Sequence, residues 1–196
     1  MRASDDIVVT EATDLPVSVE EFKQHARIDY STDDALVEHY VKAAAEHLRN
    51  LTGRAFLTET RKAVFPGWDA VLFLPTPLVR SVVAVTYVDE DFAEQTVEAS
   101  LYHAAQLLAP WDQCQISPLT SWPGTPALVP NAVRVTYACG YGAAAEDVPA
   151  GLRQAVLLLA AHWYEHREDV IVGTTASTVP NGVRALTEPH RFRRLF

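Results

Sequence analysis

The sequence predicts an α+β fold, mainly α, in which a three-helix bundle carries a small inserted antiparallel β module and an extended C-terminal arm. Apolar residues recur at helical spacing before residue 53 and again after residue 149. Between about residues 58 and 140, short β-branched runs alternate with proline and glycine, which is typical of strands and turns. The last residues interleave arginines with apolar side chains and form no such pattern.

Two helices are predicted over about residues 18–53, after an N-terminal stretch that has no periodicity. In "PVSVEEF", Ser18 can cap the first helix, and Glu21 can return a bond to the Ser18 amide. Thr32 or Asp33 can cap the second helix, and Gly53 can end it in a left-handed turn. The second helix has one apolar stripe that we expect to pack in the bundle, formed by Leu36, Val37, Tyr40, Val41, Ala44 and Leu48.

The β module and the third helix follow. Strands are expected in "AVLFLP", "RSVVAVTYVDED" and "NAVRVTYACGYG", with an irregular loop rich in proline and tryptophan at 108–130. The third helix, about 149–167, begins with Pro149 in its first turn. Its expected packing face contains Leu152, Val156, Leu159 and Trp163. A mobile loop is predicted at about 170–181.

These elements predict three segments. Residues 1–15 form a flexible arm, residues 16–183 a single domain, and residues 184–196 a basic and aromatic tail.

The composition, 48% apolar and 21% charged, permits a packed core. No apolar run is long enough to span a membrane, and the acidic N-terminus does not resemble a signal peptide, so we expect a protein of the cytoplasm. Two cysteines, Cys114 and Cys139, are too few for a disulfide framework.

Charge is unevenly distributed along the chain. The net charge is −9, but the last thirteen residues carry four arginines and one acid, so the other residues carry −12. An acidic body disfavours specific DNA binding. The tail can either contact an acidic protein surface or lie in solvent.

The pattern "HWYEH" at 162–166 matches the H-x-x-E-H signature of one zinc hydrolase class, with His162 and His166 as ligands and Glu165 as base. Both histidines, however, continue the apolar stripe of the helix, and Glu165 points about 100° away. A third ligand from a separate element is also required, and the thirty residues that follow offer few acids. We therefore expect helix packing, with no catalytic residue, no metal and no cofactor.

Four blocks, in order, resemble the head–tail connector (adaptor, head-completion) proteins of long-tailed bacteriophages and gene transfer agents. They are "PVSVEEFKQHARID" with "DDALVEHYVKAAAEHLRNLTGRAF", "LFLPTPLVRSVVAVTYVDED", "VRVTYACGYG" with "VPAGLRQAVLLLAAHWYEHRED", and "VPNGVRALTEPHRFRRLF". The resemblance covers about residues 16–196 and lies in the order and spacing of the blocks.

The resemblance implies a structural protein of the virion or particle neck, assembled in the bacterial cytoplasm. It implies a dodecameric ring below the portal protein that passes double-stranded DNA without specific binding and docks a stopper or another neck or tail protein below. The C-terminal tail is then the expected portal-docking segment, through Arg184, Leu186, Arg191, Phe192, Arg193, Arg194, Leu195 and Phe196. The alternatives are the zinc hydrolase and a cytoplasmic scaffold module unrelated to virions.

Overall fold

The computed structural model describes residues 1–106, 112–124, 129–166 and 181–192. The chain forms two compact units. The first comprises Met1–Ala12, Thr58–Gly140 and Phe192–Phe196, and the second comprises Thr13–Leu57 and Tyr141–Arg191. The division into an arm, one domain and a tail stays a prediction.

The first unit contains two antiparallel sheets. The larger has the order β1-β2-β8-β4-β5 and the smaller the order β3-β7-β6. The strands are β1 (Asp5–Thr10), β2 (Glu59–Phe65), β3 (Leu72–Phe73), β4 (Val79–Val88), β5 (Glu94–Val97), β6 (Tyr102–Gln106), β7 (Cys114–Pro118) and β8 (Val133–Cys139). The α+β class is confirmed, but the prediction of a mainly α fold with a small β insert is wrong, because these strands form a unit of their own.

Strand β8 is the centre of the larger sheet, and its side chains alternate between buried and partly exposed. Val133, Val135, Tyr137 and Cys139 are buried, whereas the residues between them are partly exposed. Alternation of this kind places one face of a strand against a core. Gly140, with φ 128°, ends the strand in a conformation that L side chains rarely adopt.

Strand β1 lies where the sequence analysis expected an arm without regular structure. It pairs antiparallel with β2, with Ile7 opposite Lys62. Its apolar Ile7 and Val9 are about half exposed, at 50% and 52%, whereas Asp6 is largely buried, with 13% of its side chain exposed. The strand thus buries an acid and exposes apolar side chains, which is the opposite of the usual amphipathic pattern. For this reason the sequence pattern did not indicate a strand.

A buried polar cluster explains the burial of Asp6. Its carboxylate accepts hydrogen bonds from Arg61 Nε (2.8 Å), Thr76 Oγ1 (2.8 Å) and the Tyr137 hydroxyl (2.9 Å). Arg61 also donates from Nη1 to the Glu59 carboxylate at 2.6 Å. Burial and the Asp6 charge raise the pKa of Tyr137, so the phenol keeps its proton and donates. The cluster holds the N-terminal strand on the sheet.

The predicted irregular loop at 108–130 contains strand β7, which the prolines around it obscured. Ile116 is fully buried and Cys114 nearly so, which gives this strand its inward face. Later in the same segment, the Trp122 ring stacks on Trp68, with centroids 4.4 Å apart, and its Nε1 donates to the Asp69 carbonyl at 2.6 Å.

The second unit contains four helices: α1 (Val19–Ala26), α2 (Asp34–Thr52), α3 (Ala150–Glu165) and α4 (Asn181–Thr187). The Ser18 cap is present, with the Glu21 amide donating to Ser18 Oγ at 3.1 Å, but the Glu21 carboxylate accepts from Arg153 at 2.8 Å. Gly53, with φ 69°, ends α2 as predicted. Helix α4 was not predicted; it lies at the start of what was expected to be an extended arm.

The predicted mobile loop at 170–181 falls, except for Asn181, outside the described residues. Within the described ranges, no helix is both long and apolar enough for a membrane span.

We predict that Asp6→Ala lowers the free energy of unfolding by about 3 kcal/mol, because it removes a carboxylate that accepts hydrogen bonds from three side chains and takes one paired acid from the largely buried Arg61 guanidinium. Urea denaturation measures this. Glu11→Ala, an exposed acid beyond the same strand, is the matched control and should change stability by less than about 0.5 kcal/mol. Equal effects of the two variants would show that the cluster does not hold β1.

Candidate docking surfaces

The HWYEH pattern lies at the C-terminal end of α3. The His162 and His166 rings are 4.8 Å apart between centroids, and the amide and Nδ1 of His166 lie 3.0 and 3.1 Å from the His162 carbonyl. Glu165 is exposed. In the described part of the chain, no three His, Cys, Asp or Glu residues are grouped as metal ligands would be. The geometry therefore gives the hydrolase alternative no support.

Helices α2 and α3 contain the ten residues that were expected to pack in the bundle. Fully buried are Val37, Val41, Ala44, Leu48, Leu152, Val156 and Leu159. Leu36, Tyr40 and Trp163 are partly exposed. The Trp163 ring meets His47 edge-on at 5.9 Å, and the Tyr40 ring meets Tyr164 edge-on at 6.2 Å.

Tyr164 also links α3 to the beginning of α2. Its hydroxyl donates to the Asp33 carboxylate at 2.7 Å and lies 3.0 Å from the Tyr30 hydroxyl. Asp33 occupies the N-cap position of α2 but makes no capping bond through its side chain. Asp33, one of the two cap candidates from the sequence, thus serves as a contact between helices.

The C-terminal segment begins with a folded portion, residues 181–190, which we call the C-terminal base. It consists of α4 and a 3₁₀ turn at Glu188–His190. Val183 and Thr187 are buried, and Thr187 Oγ1 donates to the Val183 carbonyl at 3.0 Å. The base is therefore part of the second unit's core, whereas the sequence analysis placed residues from 184 onward in a docking tail.

Arg54 fixes the end of this base. It follows Gly53 at the end of α2, is only 6% exposed, and donates from Nε to the His190 carbonyl at 2.6 Å. A guanidinium keeps its charge even when buried, so it needs acceptors in place of water. The Arg54–His190 contact supplies one and joins the 3₁₀ turn to the end of α2.

The His190 ring lies near Tyr141 and Arg54. Its Nδ1 is 3.5 Å from the Tyr141 hydroxyl. Partial burial of the ring, together with the charge of Arg54, lowers the pKa of His190 below its usual value of 6.5. The folded protein therefore favours the neutral imidazole.

The predicted docking residues are divided between the base and the chain beyond it. Arg184 and Arg191 are exposed, and Leu186 and Phe192 are partly exposed. Arg191 pairs with Glu188 at 3.8 Å, with about half of each side chain exposed. Arg193, Arg194, Leu195 and Phe196 lie outside the described residues.

The comparison with protein families identifies the chain. The model of the family "Head completion protein" matches residues 17–192. The chain belongs to the head completion protein family. This is a family of structural proteins of the virion neck, and the chain is not an enzyme.

Solved structures agree with this assignment. One similar chain is in the neck of an empty gene transfer agent (GTA) particle determined with C6 symmetry, with 28% identity, a TM-score of 0.80, and coverage of 98% of this chain and 97% of that one. Another is in the virion of a native GTA particle, with 29% identity, a TM-score of 0.80 and 97% coverage of both chains. A third is in the neck of a native GTA particle determined with C12 symmetry, with 27% identity, a TM-score of 0.74, and coverage of 98% and 96%. No curated protein matches the sequence.

Sequence reasoning missed the residues that shape the C-terminal base of this head completion protein. Arg54 was not singled out, because an arginine after a helix-ending glycine is usually exposed. Its burial depends on His190, which is 136 positions away in the sequence. A signal for α4 was available in "NGVRALT", where Val183 and Thr187 are four residues apart.

We predict that stability falls as the pH decreases from 7 to 5 and that His190→Asn reduces this dependence. Because the pKa of His190 is lowered in the folded state, the unfolded chain binds a proton more readily near pH 6.5. The stability associated with the neutral ring is thus present above that pH and is lost below it. Urea denaturation at several pH values measures the slope. Equal slopes for wild type and His190→Asn would refute the prediction.

Proposed function

We propose that this head completion protein forms a dodecameric ring beneath the portal of a DNA-filled head, extends the DNA channel, and docks the next neck or tail protein. The observation that carries the proposal is the similarity to GTA neck chains over almost the whole length of both chains, at 28% identity and a TM-score of 0.80. A neck with C12 symmetry among these structures supports the number of copies. The protein is thus a component of the particle neck, assembled in the bacterial cytoplasm.

Ring formation is compatible with a single folded chain repeated around an axis. A heterologous contact, in which two different surfaces of the same protein meet, closes into a ring when the rotation between copies divides a full turn. The net negative charge of the chain suits a protein that lines a DNA channel. With −12 outside the last thirteen residues, the protein repels passing DNA and offers it no specific binding site.

The C-terminal segment is the proposed contact with the portal. Its base is held by buried residues and by the Arg54–His190 contact, so the chain beyond it starts from a defined position. Arg191 has only a half-exposed pair with Glu188, and such surface pairs are worth little. An acidic residue of the portal can therefore replace Glu188 at small cost.

The residues beyond the base have the composition of an interface anchor. Phe192, Leu195 and Phe196 supply apolar contact area, and Arg193 and Arg194 supply charges that pair with acids on the partner. Aromatic and arginine side chains are enriched among residues that dominate binding energy. In this proposal the docking tail comprises residues 191–196 only. Arg184 and Leu186 belong to the C-terminal base that precedes it.

We predict that truncation after Phe192 leaves the fold intact and weakens binding to purified portal about thirtyfold or more, equivalent to about 2 kcal/mol. The truncation retains Val183, Thr187 and His190, so the base remains anchored. Deletion from residue 184 would not test docking alone, because it removes the His190 carbonyl that accepts from Arg54 and most of the base itself. Biolayer interferometry against immobilised portal rings measures the affinity.

Charge reversal offers a matched pair for the same assay. Arg191→Glu should weaken binding, whereas Lys42→Glu, which makes the same charge change at an exposed position of α2, should have little effect. If the truncated protein bound the portal with wild-type affinity, the tail would have no docking role. Equal losses for Arg191→Glu and Lys42→Glu would mean that only net charge matters.

A further inference from the structure

Phe92, in the turn that joins β4 to β5, is presented to solvent in an unusual way. It is 74% exposed, the largest value among the large apolar residues of the described chain that are exposed. Its φ is 61°, in the left-handed region that bulky side chains rarely occupy. Glycine or asparagine would adopt this conformation at lower cost. The chain therefore keeps an aromatic residue at a position where it is unfavourable both for solvation and for the backbone.

The turn around Phe92 is well braced. Asp89 Oδ1 accepts from the amides of Asp91 and Ala93 at 3.0 and 2.9 Å, and Asp89 Oδ2 accepts from Gln95 Nε2 at 2.7 Å. The Asp89 and Phe92 amides donate to the Ala93 and Asp89 carbonyls. The hydrogen bonds to the Asp89 carboxylate, the one from Gln95 foremost, lower the pKa of Asp89, so the carboxylate stays charged. An aromatic side chain on a braced turn loses little conformational entropy on binding, which is the property of an interface anchor.

The sequence on both sides of Phe92 is acidic. Between Ser81 and Val133 the sequence has six acids and neither lysine nor arginine. Glu90 and Asp91, beside Phe92, are exposed. Glu94, two residues beyond it, pairs with Arg134 of β8 at 2.7 Å. A partner that covers Phe92 must therefore bring positive charge to the edge of its pocket.

We propose that Phe92 is the anchor by which this protein binds another protein of the neck, one that has an apolar pocket bordered by lysine or arginine. The proposal deepens the proposed function and rests on it, since it assigns a residue to the contact with the next neck or tail protein. The Phe92 ring enters the pocket, and Glu90 and Asp91 pair with its basic border. Electrostatic complementarity of this kind fixes the register and speeds association.

Charge argues against a second copy of the chain as the occupant. Each copy carries −12 outside its last thirteen residues, so the net charge of a neighbouring copy disfavours its contact with the acidic turn. The last thirteen residues are basic, but the proposed function commits them to the portal. A different protein with a basic border is the partner that the charges favour.

The test uses particles in which the wild-type protein is replaced by a variant. Phe92→Asn removes the ring and suits the left-handed backbone, so the melting temperature of the purified protein should stay the same or rise. Leu119→Asn is the matched control, because Leu119 is also exposed (65%) but is not in a left-handed conformation. Truncation after Phe192 is the third variant. For each, immunoblots measure the protein bound to purified heads, and negative-stain microscopy counts the tailed and tailless particles.

The proposal expects Phe92→Asn heads to retain the protein but to lose tails, with the ratio of tailed to tailless particles reduced about tenfold or more. Leu119→Asn should give wild-type ratios. Normal tail joining by Phe92→Asn would overturn the inference, as would a fall in its melting temperature. Loss of the Phe92→Asn protein from heads would overturn it too, by placing Phe92 against the portal or a neighbouring copy. Truncated protein that stays on heads would instead refute the portal docking, independently of Phe92.

Discussion

The contact between the buried guanidinium of Arg54 and the carbonyl of His190 determines where the C-terminal segment leaves the second unit. Arg54 stands directly after the glycine that ends α2, and His190 closes the 3₁₀ turn after α4, so one 2.6 Å hydrogen bond joins the two ends. Without it a buried charge would lose an acceptor, which is costly. The docking proposal depends on this contact, because a tail that starts from a fixed point loses less entropy when it binds.

Charge distinguishes two segments of the chain. The last thirteen residues are basic, whereas the stretch from Ser81 to Val133 has six acids and no lysine or arginine. Among the described residues, Phe92 of the acidic stretch is exposed and Phe192 of the basic segment is partly exposed. Segments of opposite charge favour different partners, which is why the two docking proposals name different proteins.

Local patterns predicted α1, α2 and α3 well, but they missed α4 and predicted the contacts made by polar residues poorly. The apolar stripe of α2, the glycine at its end and the alternation in β8 follow from spacing alone, and the structure contains all three. Strand β1 was missed because it buries Asp6 and exposes Ile7, a choice set by Arg61 and Tyr137 far along the sequence. Arg54 was missed for the same reason. The left-handed backbone of Phe92, in the turn between β4 and β5, has no sequence signal and requires coordinates.

A cryo-EM reconstruction of the neck from particles that carry this chain would show whether the protein joins the portal through its C-terminal segment. We expect a ring of this fold against the portal, with the Arg54–His190 contact intact and the chain beyond Phe192 buried between portal subunits. A neck that lacks this polypeptide, or a ring whose C-terminal residues lie in solvent away from the portal, would refute the proposed docking.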